Sequence, residues 1–82
     1  MPLEELQRAS KKAVGTKETK KALDEGRVVR VFIAQDAEAH VVRPVIDMSQ
    51  QRSVCIIYVD SMSQLGQACG ISVGAASAGI LR

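Results

Sequence analysis

The sequence predicts an α/β protein, a three-layer α/β/α sandwich built on a mixed sheet of about four strands. Three observations carry this expectation. Val28 to Ala34 is apolar and mostly β-branched, interrupted only at Arg30, as a central strand covered on both faces requires. Cys55 to Val59 (Cys-Ile-Ile-Tyr-Val) repeats that pattern and reads as a second buried strand. Around these runs lie segments with apolar residues at helical spacing, and helices alternating with strands over short connections argue for helices layered on a sheet. At 82 residues, 46% of them apolar and 24% charged, the chain has the composition of a globular protein and room for one domain, residues 1–82.

Leu3, Leu6, Ser10 and Ala13 fall at helical spacing behind Pro2, which suits a first helical turn and predicts a helix from about residue 2 to 12. Val14-Gly15 interrupts it. A second helix begins near Lys17 with Thr16 as its cap and runs through Ala22 and Leu23 to Gly26, a left-handed stop. After the strand at Val28, Gln35 to Glu38 reads as a loop or helix start. Val41, Val42, Val45, Ile46 and Met48 then mark a third helix, with Pro44 tolerated only near its first turn. Ser61-Met62-Ser63-Gln64 matches a capping box and opens a short fourth helix that presents Met62, Leu65 and Cys69 on one face before Gly70. Ile71 to Val73 forms a loop with apolar tips. Ala75 to Leu81, rich in small residues, reads as a last strand packed closely under a helix.

Several classes of function find no support. Cys55 and Cys69 lie in apolar stretches, where cysteine acts as a small hydrophobe and implies a reducing compartment. With His40 they match no zinc spacing, so neither metal nor cofactor is expected. No apolar run approaches a membrane span, and the start Met-Pro-Leu-Glu-Glu has acids where a signal peptide needs cations, so a cytoplasmic protein away from membranes is expected. Gly74 and Gly79 have phosphate-loop spacing, but Ile80 and Leu81 follow where Lys and Ser or Thr are required. A Cys55/His40 nucleophile pair competes with ordinary core packing, and Asp36, Asp47 and Asp60 have no evident partner for acid–base work. The expectation is a protein that is not an enzyme.

The net charge of +2 hides an asymmetry. Arg8 to Lys21 holds six bases (Arg8, Lys11, Lys12, Lys17, Lys20 and Lys21) and one acid, Glu18, for a local +5, while the remainder carries −3. Such a cluster points toward a polyanion, although charge runs are more often solvated faces. Within it, Gly15 to Lys21 opens a helix, and a helix start presents N–H groups and a positive dipole end to phosphate, reinforced by Lys17, Lys20 and Lys21. Glu18 does not belong in a purely electrostatic patch. An ionised carboxylate only accepts hydrogen bonds, which fits the free N1–H and N2–H edge of guanine in a sheared G·A pair. Its plainer role is that of an acid stabilising the first helical turn.

Three stretches also resemble the kink-turn-binding ribosomal protein family, which includes archaeal and eukaryotic large-subunit proteins and small stand-alone bacterial members of the YbxF type. They are Gly15-Thr16-Lys17-Glu18-Thr19-Lys20-Lys21-Ala22-Leu23-Asp24-Glu25-Gly26, then Ala34-Gln35-Asp36-Ala37 after the valine-rich strand, and Leu65-Gly66-Gln67-Ala68-Cys69-Gly70-Ile71-Ser72-Val73-Gly74-Ala75-Ala76. The resemblance spans essentially the whole chain. It implies an α/β/α sandwich that recognises and stabilises kink-turn RNA in ribosomal RNA or riboswitches through the start of its second helix. By position, Gly15 and Thr16 let the backbone approach, Lys17 and Glu18 face the guanines of tandem sheared G·A pairs, and Lys21 contacts phosphate or base. Ile71, Ser72 and Val73 cover the nucleotides extruded from the bulge. The chain departs from the family pattern at Lys17, where many archaeal members have asparagine, at Glu25, where a base is frequent, and at Ser72, where an acid is frequent. A modest affinity follows. The expected partner is structured RNA containing a kink-turn, with the ribosome as a candidate and the protein a monomer. The alternative is a protein-interaction module of the ribosome or a regulatory complex, motivated by the lack of a stacking platform when Phe32 and Tyr58 are the only aromatic residues.

Overall fold

The computed structural model describes residues 2–82. The elements run α1 (Pro2–Arg8), β1 (Lys12–Val14), α2 (Thr16–Asp24), β2 (Val28–Ala34), α3 (Ala39–Gln51), β3 (Cys55–Val59), α4 (Met62–Ala68) and β4 (Ser77–Leu81). The four strands form one mixed sheet in the order β1-β4-β2-β3, with β2 and β3 parallel and the other two pairings antiparallel.

Two apolar cores, one on each face of the sheet, make the three layers. Phe32 and Ala34 of β2 point to one face with Leu6 of α1, Leu65 and Ala68 of α4, Val59 and Ala78. Val31 and Ile33 point to the other, where Ala22 and Leu23 of α2 and Val42 and Val45 of α3 cover them. This alternation is the period-2 geometry of a strand buried on both sides. Val28 shares a face with Val31 despite the odd spacing because the β2–β4 register slips between Val28 and Arg30, leaving Val29 as an extra residue.

Several expectations from the sequence are corrected. The first helix ends at Arg8 rather than near residue 12, and Lys12–Val14 forms the edge strand β1, too short for its own period to show. The strand Cys55–Val59 is buried only in part, at Val59 and less fully at Ile56 and Ile57. As β3 it lies at the other edge of the sheet, with Cys55 and Tyr58 exposed, so Cys55 is not a core residue. Cys69 does pack on the core, and burial pushes its thiol pKa up while Lys12 pulls it partly back. Helix α2 starts one residue early, at Thr16, with Gly15 as its cap, and Gly26 takes the left-handed turn at φ +72°. Pro44 sits in the second turn of α3. Its missing N–H removes the usual i+4 donor to the His40 carbonyl, which is tolerable because both residues face solvent. The last strand begins at Ser77 rather than Ala75, and it does run under a helix: a Cβ at Gly79 would lie 3.8 Å from Thr19 Cγ2 of α2.

Among the described residues no helix is long and apolar enough to cross a membrane, and no cluster of His, Cys, Asp and Glu is arranged to hold a metal ion.

Candidate functional site

The register places the functional segments at one end of the sheet. Val14, the end of β1, pairs with Ala78 near the start of β4, and Ala34, the end of β2, pairs with Val59, the end of β3. Three strands therefore end where β4 begins. The start of α2, the Gln35–Glu38 turn, the start of α4 and the 70–76 loop all emerge there.

Gly15 makes the turn from β1 into α2 with φ +89° and ψ 163°, a conformation essentially restricted to glycine. A Cβ there would meet nothing within 4 Å, so the requirement is conformational and the space beside Gly15 is open. The Gly15 N–H donates to Ser77 O at 2.9 Å, and the Gly15 carbonyl accepts from Thr19 N at 3.0 Å and from Thr19 Oγ1 at 2.7 Å. The Thr16 hydroxyl lies 3.1 Å from that of Ser77. Thr19 and Ser77 are both fully buried. With no cap side chain, the first N–H groups of α2 are left to solvent or a ligand. Lys17, Glu18 and Lys21 are exposed beside them, with Lys20 and Thr16 half-buried.

The other two helix starts at this end differ. Ser61 Oγ accepts from Gln64 N at 3.1 Å, as the capping motif predicts, and Asp36 Oδ1 accepts from Met62 N at 2.8 Å, so α4 is closed by the protein's own side chains. Asp36 thus has a structural partner that the sequence did not reveal. The start of α3 lacks a side-chain cap but is flanked by Glu38, which lies 3.5 Å from His40. The start of α2 combines free N–H groups with lysines, and that combination suits an anion.

The 70–76 loop is held against α4. A Cβ at Gly66 would collide with the carbonyl of Val73, and one at Gly74 would lie 3.1 Å from Met62 Cβ. Ile71 N donates to Gly66 O and Ala75 N to Met62 O, both at 3.0 Å. Ile71 is half-buried and packs on the α1/α4 core, Ser72 is exposed, and Val73 is 68% exposed. The loop then enters β4 at Ser77, beside Gly15. The structure therefore brings Gly15, Thr16, Lys17, Glu18, Lys20 and Lys21 together on one helix start and Ile71, Ser72 and Val73 on a loop at the same end of the sheet. Sequence reasoning missed Ser77 and Thr19, whose small buried hydroxyls give no pattern, and Gly66, whose only signal is a glycine inside a helix.

The Cys55/His40 pair is excluded by position. His40 opens α3 at the site end, whereas Cys55 opens β3 beyond the far end of that helix, roughly 16 Å of helix away.

The model of the Ribosomal protein L7Ae/L30e/S12e/Gadd45 family matches residues 2–82. The chain belongs to that family. An RNA-binding protein of Halalkalibacterium halodurans is 49% identical to it over 77 residues, 94% of each chain. The RNA-binding protein YbxF of Geobacillus stearothermophilus is 42% identical over the full length of both. Among solved structures, the Giardia lamblia 15.5 kD RNA-binding protein superposes with a TM-score of 0.83 at 25% identity, covering 98% of this chain and 68% of that one. The likeness to small bacterial YbxF-type members agrees with the resemblance carried by the motifs.

Proposed function

We propose that this family member is a non-catalytic RNA-binding protein whose 82 residues form a single domain that recognises kink-turn RNA and stabilises its bent form, in ribosomal RNA or a riboswitch. The observation that carries the reading is the start of α2. An uncapped helix end with a glycine in a conformation open to close approach is surrounded by lysines and contains one exposed carboxylate, Glu18. Phosphate is attracted by the N–H groups and by Lys17, Lys20 and Lys21, while Glu18 accepts hydrogen bonds from guanine edges of sheared G·A pairs. Ile71, Ser72 and Val73 cover extruded nucleotides, a role supported by the exposure of Val73 on a loop fixed from behind by Gly66 and Gly74. The names of the relatives support RNA as the partner class. The family's ribosomal members support the ribosome as one setting. We place the protein in the cytoplasm as a monomer.

The reading is tested with a kink-turn duplex carrying a fluorophore on each arm. Added protein should raise energy transfer as the arms close, with saturation at one protein per RNA. Binding without closure of the arms would contradict it.

A further inference from the structure

The two halves of the proposed site come from different parts of the chain, the helix start at residues 15–21 and residues 71–73 of the 70–76 loop, and one residue touches the first while ending the loop that carries the second. Ser77 opens β4 immediately after the 70–76 loop, and it is fully buried. Its backbone carbonyl accepts from Gly15 N at 2.9 Å, and its hydroxyl lies 3.1 Å from the hydroxyl of Thr16. Its neighbour Ala76 is anchored in turn, accepting from Ala34 N at 3.0 Å. A hydroxyl in an otherwise apolar strand (Ser-Ala-Gly-Ile-Leu) costs desolvation unless it is hydrogen-bonded, and Thr16 supplies the partner.

We propose that Ser77 is a positioning residue that couples the helix start to the 71–73 loop, fixing the spacing at which the two meet one RNA. It touches no RNA itself. It acts through Thr16, whose hydroxyl it holds toward the sheet, so that the first turn of α2 faces outward in a single orientation. The assignment rests on the RNA reading for its consequence, but its structural half stands apart from RNA and can be measured in the free protein.

The test compares the wild type with Ser77→Ala, which removes one oxygen and leaves the chain otherwise the same size. In the free protein, amide hydrogen exchange at Gly15 and Thr19 should accelerate by about two- to ten-fold, the range one hydrogen bond supports, while Phe32 in the central strand is unchanged. Uniform acceleration, or none at Gly15 and Thr19, overturns the assignment whatever the RNA does. With RNA, Ser77→Ala should weaken binding to a kink-turn by a similar factor and leave binding to a plain duplex unchanged. In a Thr16→Val background Ser77→Ala should have no further effect, because the pair is already broken. Equal additive losses in both backgrounds, or parallel losses on both RNAs, overturn the coupling. A wild type that does not distinguish kink-turn from duplex contradicts the RNA reading instead, and the exchange data still decide whether Ser77 pins the helix start.

Discussion

Glu18 and Lys20 sit two residues apart on the same helical turn yet are assigned opposite kinds of work. In the proposed complex Glu18 reads base edges, so Glu18→Ala should weaken kink-turn binding by about 1–3 kcal/mol and leave non-specific RNA binding intact. Lys20→Ala should weaken binding to every RNA about equally and make the salt dependence shallower by about one unit of slope. Titrations of both variants against a kink-turn and a plain duplex separate the two roles. Gly15 answers to backbone geometry. Gly15→Ala forces a Cβ into φ +89°, so a loss of stability of about 1–3 kcal/mol is expected by thermal or denaturant unfolding, with no steric clash to relieve it. These residues stand out as candidates in the sequence because charge, a helix start and an acid among lysines are local signals. Thr19 and Ser77 do not, because a buried hydroxyl acquires its meaning from a partner distant in the chain or hidden by the fold.

Elements were legible where their pattern was long enough to repeat and illegible where neighbours defined them. The central strand β2 shows its burial on both faces in its own residues. The strand β1 has three residues and exists through its pairing with β4, and the apolar run of β3 does not reveal that it forms an edge. The contact between α4 and the 70–76 loop was hidden in the same way, since Gly66 reads only as a weak point in a helix. It is a point of close approach. Gly66→Ala drives a methyl group onto the Val73 carbonyl, so the loop must move. The expected result is a loss of about 1–3 kcal/mol in stability, together with weaker kink-turn binding that Glu18-dependent discrimination survives. Unfolding curves and titrations of the single variant and of its combination with Glu18→Ala check this.

Across the whole molecule, the parallel β2–β3 pair and the reversed β4 bring three strand ends and one strand start to one end of the sheet, and the helix start and loop share that end because of the topology. The layered fold was readable from alternating patterns; the placement of both halves of the site at one end required the strand order. The net charge is small, but Arg8 to Lys21 carries a local +5, and in the proposed complex this segment supplies the attraction to phosphate. With about three to five phosphates neutralised, log K should fall with log salt at a slope near −3 to −4, measurable by titration between low and physiological salt. In the proposed complex this end of the molecule reads a base-paired motif in addition to phosphate. Gel shifts on a kink-turn and on the same RNA with its G·A pairs replaced by Watson–Crick pairs separate base reading from phosphate binding. Binding to the replaced RNA should fall to the level of a plain duplex; equal binding to both RNAs would mean that the protein reads phosphate alone.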